Sequence, residues 1–413
     1  MSRSLLTRGA LGVAAVALAA TACGSSANGS TAAPSPSMSS TSATTETAAA
    51  ALRAGLTGLL RQHVDLTAFA VQDLVAKGSL DDARVKGSLS ALNDNTNALG
   101  DAIGSLYGDA AKTQFLKLWN DHIGFFVTYI KGDLTHSAAL KKQANTQLDG
   151  YRAGFGAFVE SATNKALPAD AVAQELVGHI QTLEAAIDAI VAKSPKAPEL
   201  IGMAADHMDG TAKALAGGIA TAKSLAGDAG GDGSGLRAAL TGLLVQHVAA
   251  TGVVIQTVAE TGSLTGARTV GAVAALTANT NALGDAIGGL YGPAAKTEFL
   301  KQWNAHIGFF VTYTKGVVGK DAKMRALANK QLDGYRAQFG AFIEGATNKA
   351  LPADAVAQEL VGHIQTLEAA IDAIVAGKAN ASSLLSMAEM HMPGTAAALA
   401  KGIATAKPDV IKS

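Results

Sequence analysis

Residues 52–223 recur as residues 236–407 at a constant offset of 184, without a gap. Over 31 of those positions, ATNKALPADAVAQELVGHIQTLEAAIDAIVA at 162–192 and 346–376, the two copies are identical. A chain written twice must fold as one unit used twice, so a core or a site in one copy is expected in the other. The copies occupy residues 51–225 and 236–413, and the Gly-rich segment 226–235 between them reads as a flexible joint joining independently folding units.

A weaker period lies inside each copy. Placing His63 on His179 pairs Val64 with Ile180, Val71 with Ile187 and Leu99 with Leu215; placing it on His122 pairs Val64 with Ile123. The period, just under sixty residues, suits three helical hairpins per copy. Positions 56, 59, 60, 63, 67, 70, 71 and 74 form one stripe at helical spacing, apolar except for His63 and Thr67. Positions 115, 118, 119, 122, 126, 129 and 130 form another around His122. With no alternating strand pattern, the predicted class is all-α, two tandem bundles of about six helices each.

Each of these stripes must face a core, yet each carries a histidine. If the three hairpins lie side by side, their first helices run parallel and His63, His122 and His179 fall at one level. The second copy then repeats the set with His247, His306 and His363. Three neutral imidazoles at one level match the ligands of many open zinc and copper sites. In the sixth helix Met203 and His207 are four apart with Met208 alongside, copied as Met387, His391 and Met392. Thioether with imidazole is a soft set that favours Cu(I). Copper is therefore the leading cofactor expectation.

Two other readings stay open. A core histidine can simply donate to a backbone carbonyl or to a polar neighbour such as Asn95. Alternatively, facing histidines can hold haem non-covalently in a slot left by Gly100, Gly104 and Gly154. Tyr151, between Asp149 and Arg152, reads as a tyrosine tip bonded near a helix end. The first helices differ between copies (LLRQHVDLTAFAVQD against LLVQHVAATGVVIQT), yet the histidine stays.

The N-terminal 22 residues, with Arg3, Arg8 and a short apolar run, read as a signal peptide. Ala20-Thr21-Ala22 before Cys23, the chain's sole cysteine, resembles a bacterial lipobox, predicting a lipidated Cys23 on the outer face of the membrane, with a plain signal peptide cleaved near Ala22 as the alternative. Residues 23–50, poor in apolar bulk, read as a disordered tether. Removing Arg3 and Arg8 leaves 31 basic and 33 acidic side chains, which gives no electrostatic footprint for nucleic acid. The chain carries no Walker-type loop, H-E-x-x-H, C-x-x-C-H or G-x-S-x-G motif. These features suit a binding protein, or a structural module of the envelope, better than an enzyme.

The segments LLxxHV, NTNALGDAIGxLYG, LWxxHIGFFVTY, LDGYRAxFGAF and HMxGTAAALA resemble a family of secreted helical-repeat proteins of actinobacteria and Gram-positive relatives. Some members carry the label copper amine oxidase. The resemblance spans nearly all of both copies and implies a secreted all-α repeat protein, and the family brings no established activity with it. It does not extend to oxidase chemistry, because the chain has no Asn-Tyr pair to supply a cofactor tyrosine.

Overall fold

The computed structural model of the protein describes residues 44–411, and the predicted stripes lie on helices, with no strand among the described residues. The first repeat contains α1 (Ala48–Lys77), α2 (Ala83–Tyr107), α3 (Asp109–Leu134), α4 (Ala138–Ala162), α5 (Ala169–Val191) and α6 (Ala197–Ala222). The second contains α7 (Asp232–Thr261), α8 (Ala267–Tyr291), α9 (Pro293–Val318), α10 (Ala322–Ala346), α11 (Ala353–Val375) and α12 (Ala381–Ala406). The expected signal peptide, Cys23 and tether residues 24–43 lie outside the described residues.

Local chemistry sets the helix ends. Thr47 caps α1 by accepting from the Ala50 N–H at 3.1 Å, and Gly78, at φ 70°, ends it by donating to the Leu74 carbonyl. Asp82 and Ser137 cap α2 and α4 in the same way. Within each repeat, chain neighbours pack against one another all the way round, and the sixth helix closes on the first. The connections are short, so neighbours run antiparallel and the odd-numbered helices run parallel. Contacts of α5 with both α1 and α3 bring the odd helices together at the centre.

The two repeats belong to a single compact unit. They meet through α1 against α7, α6 against α7 and α8, and α12 against α1 and α2, a pattern related by a pseudo-twofold axis. The glycines report the same symmetry. A Cβ on Gly87 would lie 1.7 Å from the Ala379 carbonyl oxygen, and one on its counterpart Gly271 would lie 1.9 Å from that of Pro195. Only glycine allows α2 and α8 to come so close to the opposite repeat. By length and composition α7 is the one described helix able to span a membrane, with 72% of its apolar window buried. Its place between α1, α8 and α12 explains a surface that is apolar nearly all round.

Two boundary expectations change. The tether ends before residue 50: α1 starts at Ala48, and Thr45, Ala49 and Ala50 are buried. Alanine and threonine look featureless in sequence, yet they are small enough to pack where α1 meets the start of α7. The Gly-rich joint is not a free chain. Ala229 is buried, Arg53 donates to its carbonyl at 2.9 Å, and α7 begins inside the segment at Asp232. Glycine supplies close approach here: a Cβ on Gly227 would meet Thr47 Oγ1 at 2.2 Å, and one on Gly233 would meet Thr44 Oγ1 at 2.3 Å.

Candidate metal centre

Because α1, α3 and α5 are parallel and central, the three stripes bring their histidines to one level. His63, His122 and His179 are all buried, and each offers a ring nitrogen to a set lying within 4.8 Å of one another. His247, His306 and His363 do the same on α7, α9 and α11. In the second repeat the Nε2 atoms of His247 and His306 face each other at 3.4 Å. Nitrogens bound to one metal at about 2 Å in trigonal or tetrahedral geometry lie about 3.3–3.5 Å apart, so this pair is already at ligand spacing.

Aromatic side chains wall in the triad. Trp119 meets His63 and His122 edge-on, with centroids at 4.9 and 4.7 Å, and Phe126 lies edge-on to His122 and His179. Tyr151 stacks on His122 at 4.9 Å and 18°, and Tyr335 stacks on His306 at 5.0 Å and 17°. Tyr151 is therefore part of the site's wall and not a tip at a helix end. Its neighbour Arg152 takes the surface role, donating to Asp149 and to the Ala173 carbonyl. The Nε1 atoms of Trp119 and Trp303 and the Tyr335 hydroxyl are buried without a hydrogen-bond partner.

The triad histidines lack the partners that a purely structural core histidine would use. Asn95 donates to the Leu59 carbonyl and to Gln62 Oε1, both at 3.0 Å, and not to His63; Asn279 repeats the pattern. None of the six triad Nδ1 atoms has a hydrogen-bond partner of ordinary geometry. A buried ring nitrogen left unpaired costs about 1–3 kcal/mol, and the fold accepts that cost in both repeats.

Burial dominates the ionisation of the rings. It pushes His63 down to about 3, with the charge of His179 adding to the effect, and His363 down to about 3, with His247 and His391 adding. His179 and His247 fall to about 4, again chiefly through burial. His122 and His306 lie well below the usual range through burial and repulsion from the other two rings, opposed by the carbonyls of Trp119 and Trp303. At neutral pH all six rings are neutral, the protonation state in which imidazole binds a metal.

Helix α6 behaves differently from the expectation. Met203 and Met387 are about half exposed, and His207 and His391 bond through Nε2 to the carbonyls of Glu175 and Glu359 at 3.0 and 2.9 Å. The buried stripe of α6 is Ile201, Ala204, Ala205, Met208 and Ala212. Met203 and His207 each lie one residue out of that register, about 100° round the helix. Their ring and thioether therefore leave the core, and Gly178 makes room for His207: a Cβ there would sit 2.4 Å from Cε1. Met208 and Met392 do face inward, and Met392 lines the same cavity as the second triad, about 60 Å³ in volume.

That volume bears on haem. The cavity lined by all three histidines of the second triad has a volume of about 60 Å³, far below the several hundred cubic ångström of a cofactor pocket, and the larger pockets of about 520 and 600 Å³ each reach one histidine only, His63 or His247, so neither is lined by two facing histidines. Two of the glycines expected to open a slot serve helix packing instead, with Leu116 filling the space beside Gly100 and Lys112 that beside Gly104, and the third, Gly154, is exposed. Comparison of the chain with protein-family models, curated proteins and solved structures finds no match.

Proposed function

We propose that the protein binds copper as Cu(I), one ion per repeat, to sequester or hand on the metal at the cell envelope and not to catalyse a reaction. One observation carries this reading: three buried, neutral imidazoles converge within 4.8 Å, and they do so twice. Cu(I) is preferred to a divalent ion because no carboxylate belongs to either set. The cost of burying an ion grows with the square of its charge, so a divalent ion among three neutral ligands costs about four times as much. The thioether of Met392, which lines the cavity of the second triad, adds soft character there.

Envelope placement rests on the leader and Cys23, and a Cys23→Ser protein found in the medium or left as precursor would support it. For the metal, protein equilibrated with Cu(I) under anaerobic reducing conditions and then desalted should retain two ions per chain. The double variant His122→Ala/His306→Ala, checked for intact helicity, should retain none. Wild-type copper content in that variant would refute the reading.

A further inference from the structure

Half of the large apolar side chains exposed to solvent gather at two places. Of 14 among the described residues, seven line just two pockets: Leu80, Leu89, Val127 and Leu134 in the first repeat, and Leu264, Val311 and Val318 in the second. The pockets have volumes of about 520 and 600 Å³, within the range of small-molecule sites. They occupy equivalent places, between the C-terminal halves of the first and third helices of each repeat. Val71 and Ile255, Ile123 and Ile307, and Phe126 and Phe310 correspond at the offset of 184. The lining of α1 and α7 has changed in identity but stayed apolar.

Each pocket is open to solvent along exposed side chains, Leu89 and Val127 in the first repeat and Val311 in the second, and has one charge. The inner end is His63 or His247, and the hydroxyls there, on Thr67 and Thr251, are spent on the carbonyls of those same histidines at 2.8 Å. At the rim stands a single lysine, Lys131 or Lys315, the only charged side chain in either lining. Both lysines are exposed, and neither takes part in a salt bridge with any described residue. Nine residues of helix separate His122, at the level of His63, from Lys131, a rise of about 13 Å along α3.

An apolar groove along about 13 Å of helix, with one unpaired cation at its rim and its threonine hydroxyls spent on backbone carbonyls, complements a hydrocarbon chain ending in one negative charge. We propose that each repeat binds a single-chain carboxylate, its alkyl tail reaching toward His63 or His247 and its head group facing Lys131 or Lys315. The pocket adjoins the triad at His63 or His247, but the proposal needs no bound metal and is testable on metal-free protein.

The test is calorimetric titration of the purified protein with dodecanoate and, separately, with dodecylammonium, which has the same chain length and the opposite charge. Two dodecanoate ions should bind per chain, at least ten-fold more tightly than the cation. Lys131→Glu/Lys315→Glu should reverse that preference. Val127→Trp/Val311→Trp, which fills both pockets from half-exposed positions, should abolish binding while leaving helicity intact. Absence of saturable dodecanoate binding, equal affinity for the two ions, or binding unchanged by the tryptophans would each overturn the proposal.

Discussion

His63 lies 5.4 Å from His122 and 6.4 Å from His179, ring centre to ring centre; their copies in the second repeat lie at 5.3 and 6.4 Å. Where the repeats touch each other, the copies diverge. Arg61, Asp65 and Glu389 have Val245, Ala249 and Ala205 as counterparts, and Asp206 and Asp209 have Met390 and Pro393. The cause is geometric. The inside of each bundle sees only its own repeat, so identical side chains meet identical surroundings. At a pseudo-twofold contact, a residue near the axis meets its own counterpart, and a charge kept in both copies meets a like charge. Asp65 and Ala249 line one cavity of about 250 Å³ between the repeats, where a second aspartate would face the first.

Divergence resolved this contact with polar groups that are buried and unequal. Arg61, almost wholly buried, bonds Asp209 and Asp206 of its own repeat at 2.6 and 2.7 Å. Gln62 donates to the Ser386 carbonyl and to Glu389 across the contact, both at 3.1 Å. Ser88 meets Ser382 at 2.8 Å, and Gln256 donates to Asp73 at 3.0 Å. Burial pushes Asp65 up to about 7 against the pull of Arg61, and it raises Glu389 well above the usual carboxyl range, with Asp65 adding to the effect.

The comparison breaks most directly if the two interiors are not equivalent. His122→Ala alone should lower retained Cu(I) from two ions per chain to one, and His306→Ala should do the same. The affected site should weaken by a hundred-fold or more, read by competition with a Cu(I) chelator. Retention of both ions in either variant, or loss of both, would mean that the triads do not act as separate equal sites.

The contact between repeats is tested next. Gly87→Ala and Gly271→Ala each place a methyl against an opposing carbonyl, which should cost about 2–3 kcal/mol. Thermal unfolding should show the loss, while copper content stays at two. An unchanged melting temperature in both variants would contradict the close approach of the repeats.

A smaller effect concerns pH. The folded-state pKa values of Asp65 and Glu389 are raised, so above about pH 4 the unfolded chain ionises these groups while the fold keeps them protonated. Stability from this pair therefore falls as pH rises, through about 7 for Asp65 and further for Glu389. The histidine contribution is common to wild type and a Glu389→Gln variant, so the difference between them isolates the acid. The variant's melting temperature should gain on wild type by about 2 °C or more between pH 5 and pH 8. A constant difference would show that Glu389 is ionised in the fold.

The smallest effect expected is none. His207→Ala/His391→Ala should leave copper at two ions per chain, because these rings bond backbone carbonyls outside the core.

These tests follow lines that the sequence marks unevenly. The stripe and its repeat spacing are enough to place the six histidines at one level of two bundles, because both depend only on helical period and parallel packing. Met203 and His207 mislead because spacing of i, i+4 shows that two residues share a face, not that the face is the buried one. The sequence does not mark Tyr151 as a wall of the site, because its partner His122 is on another helix and nothing local to LDGYRA signals that contact. The joint 226–235 and the start of α1 share one difficulty. Small residues that permit close packing have the same composition as small residues that form free chain.

The central claim is tested most directly by copper-edge X-ray absorption on the Cu(I)-loaded protein. The account predicts an inner shell of about three nitrogens near 2.0 Å, with the outer-shell pattern of imidazole, in wild type and in His207→Ala/His391→Ala alike. An inner shell dominated by sulfur or by carboxylate oxygen would place the metal away from the histidine triads and contradict the account.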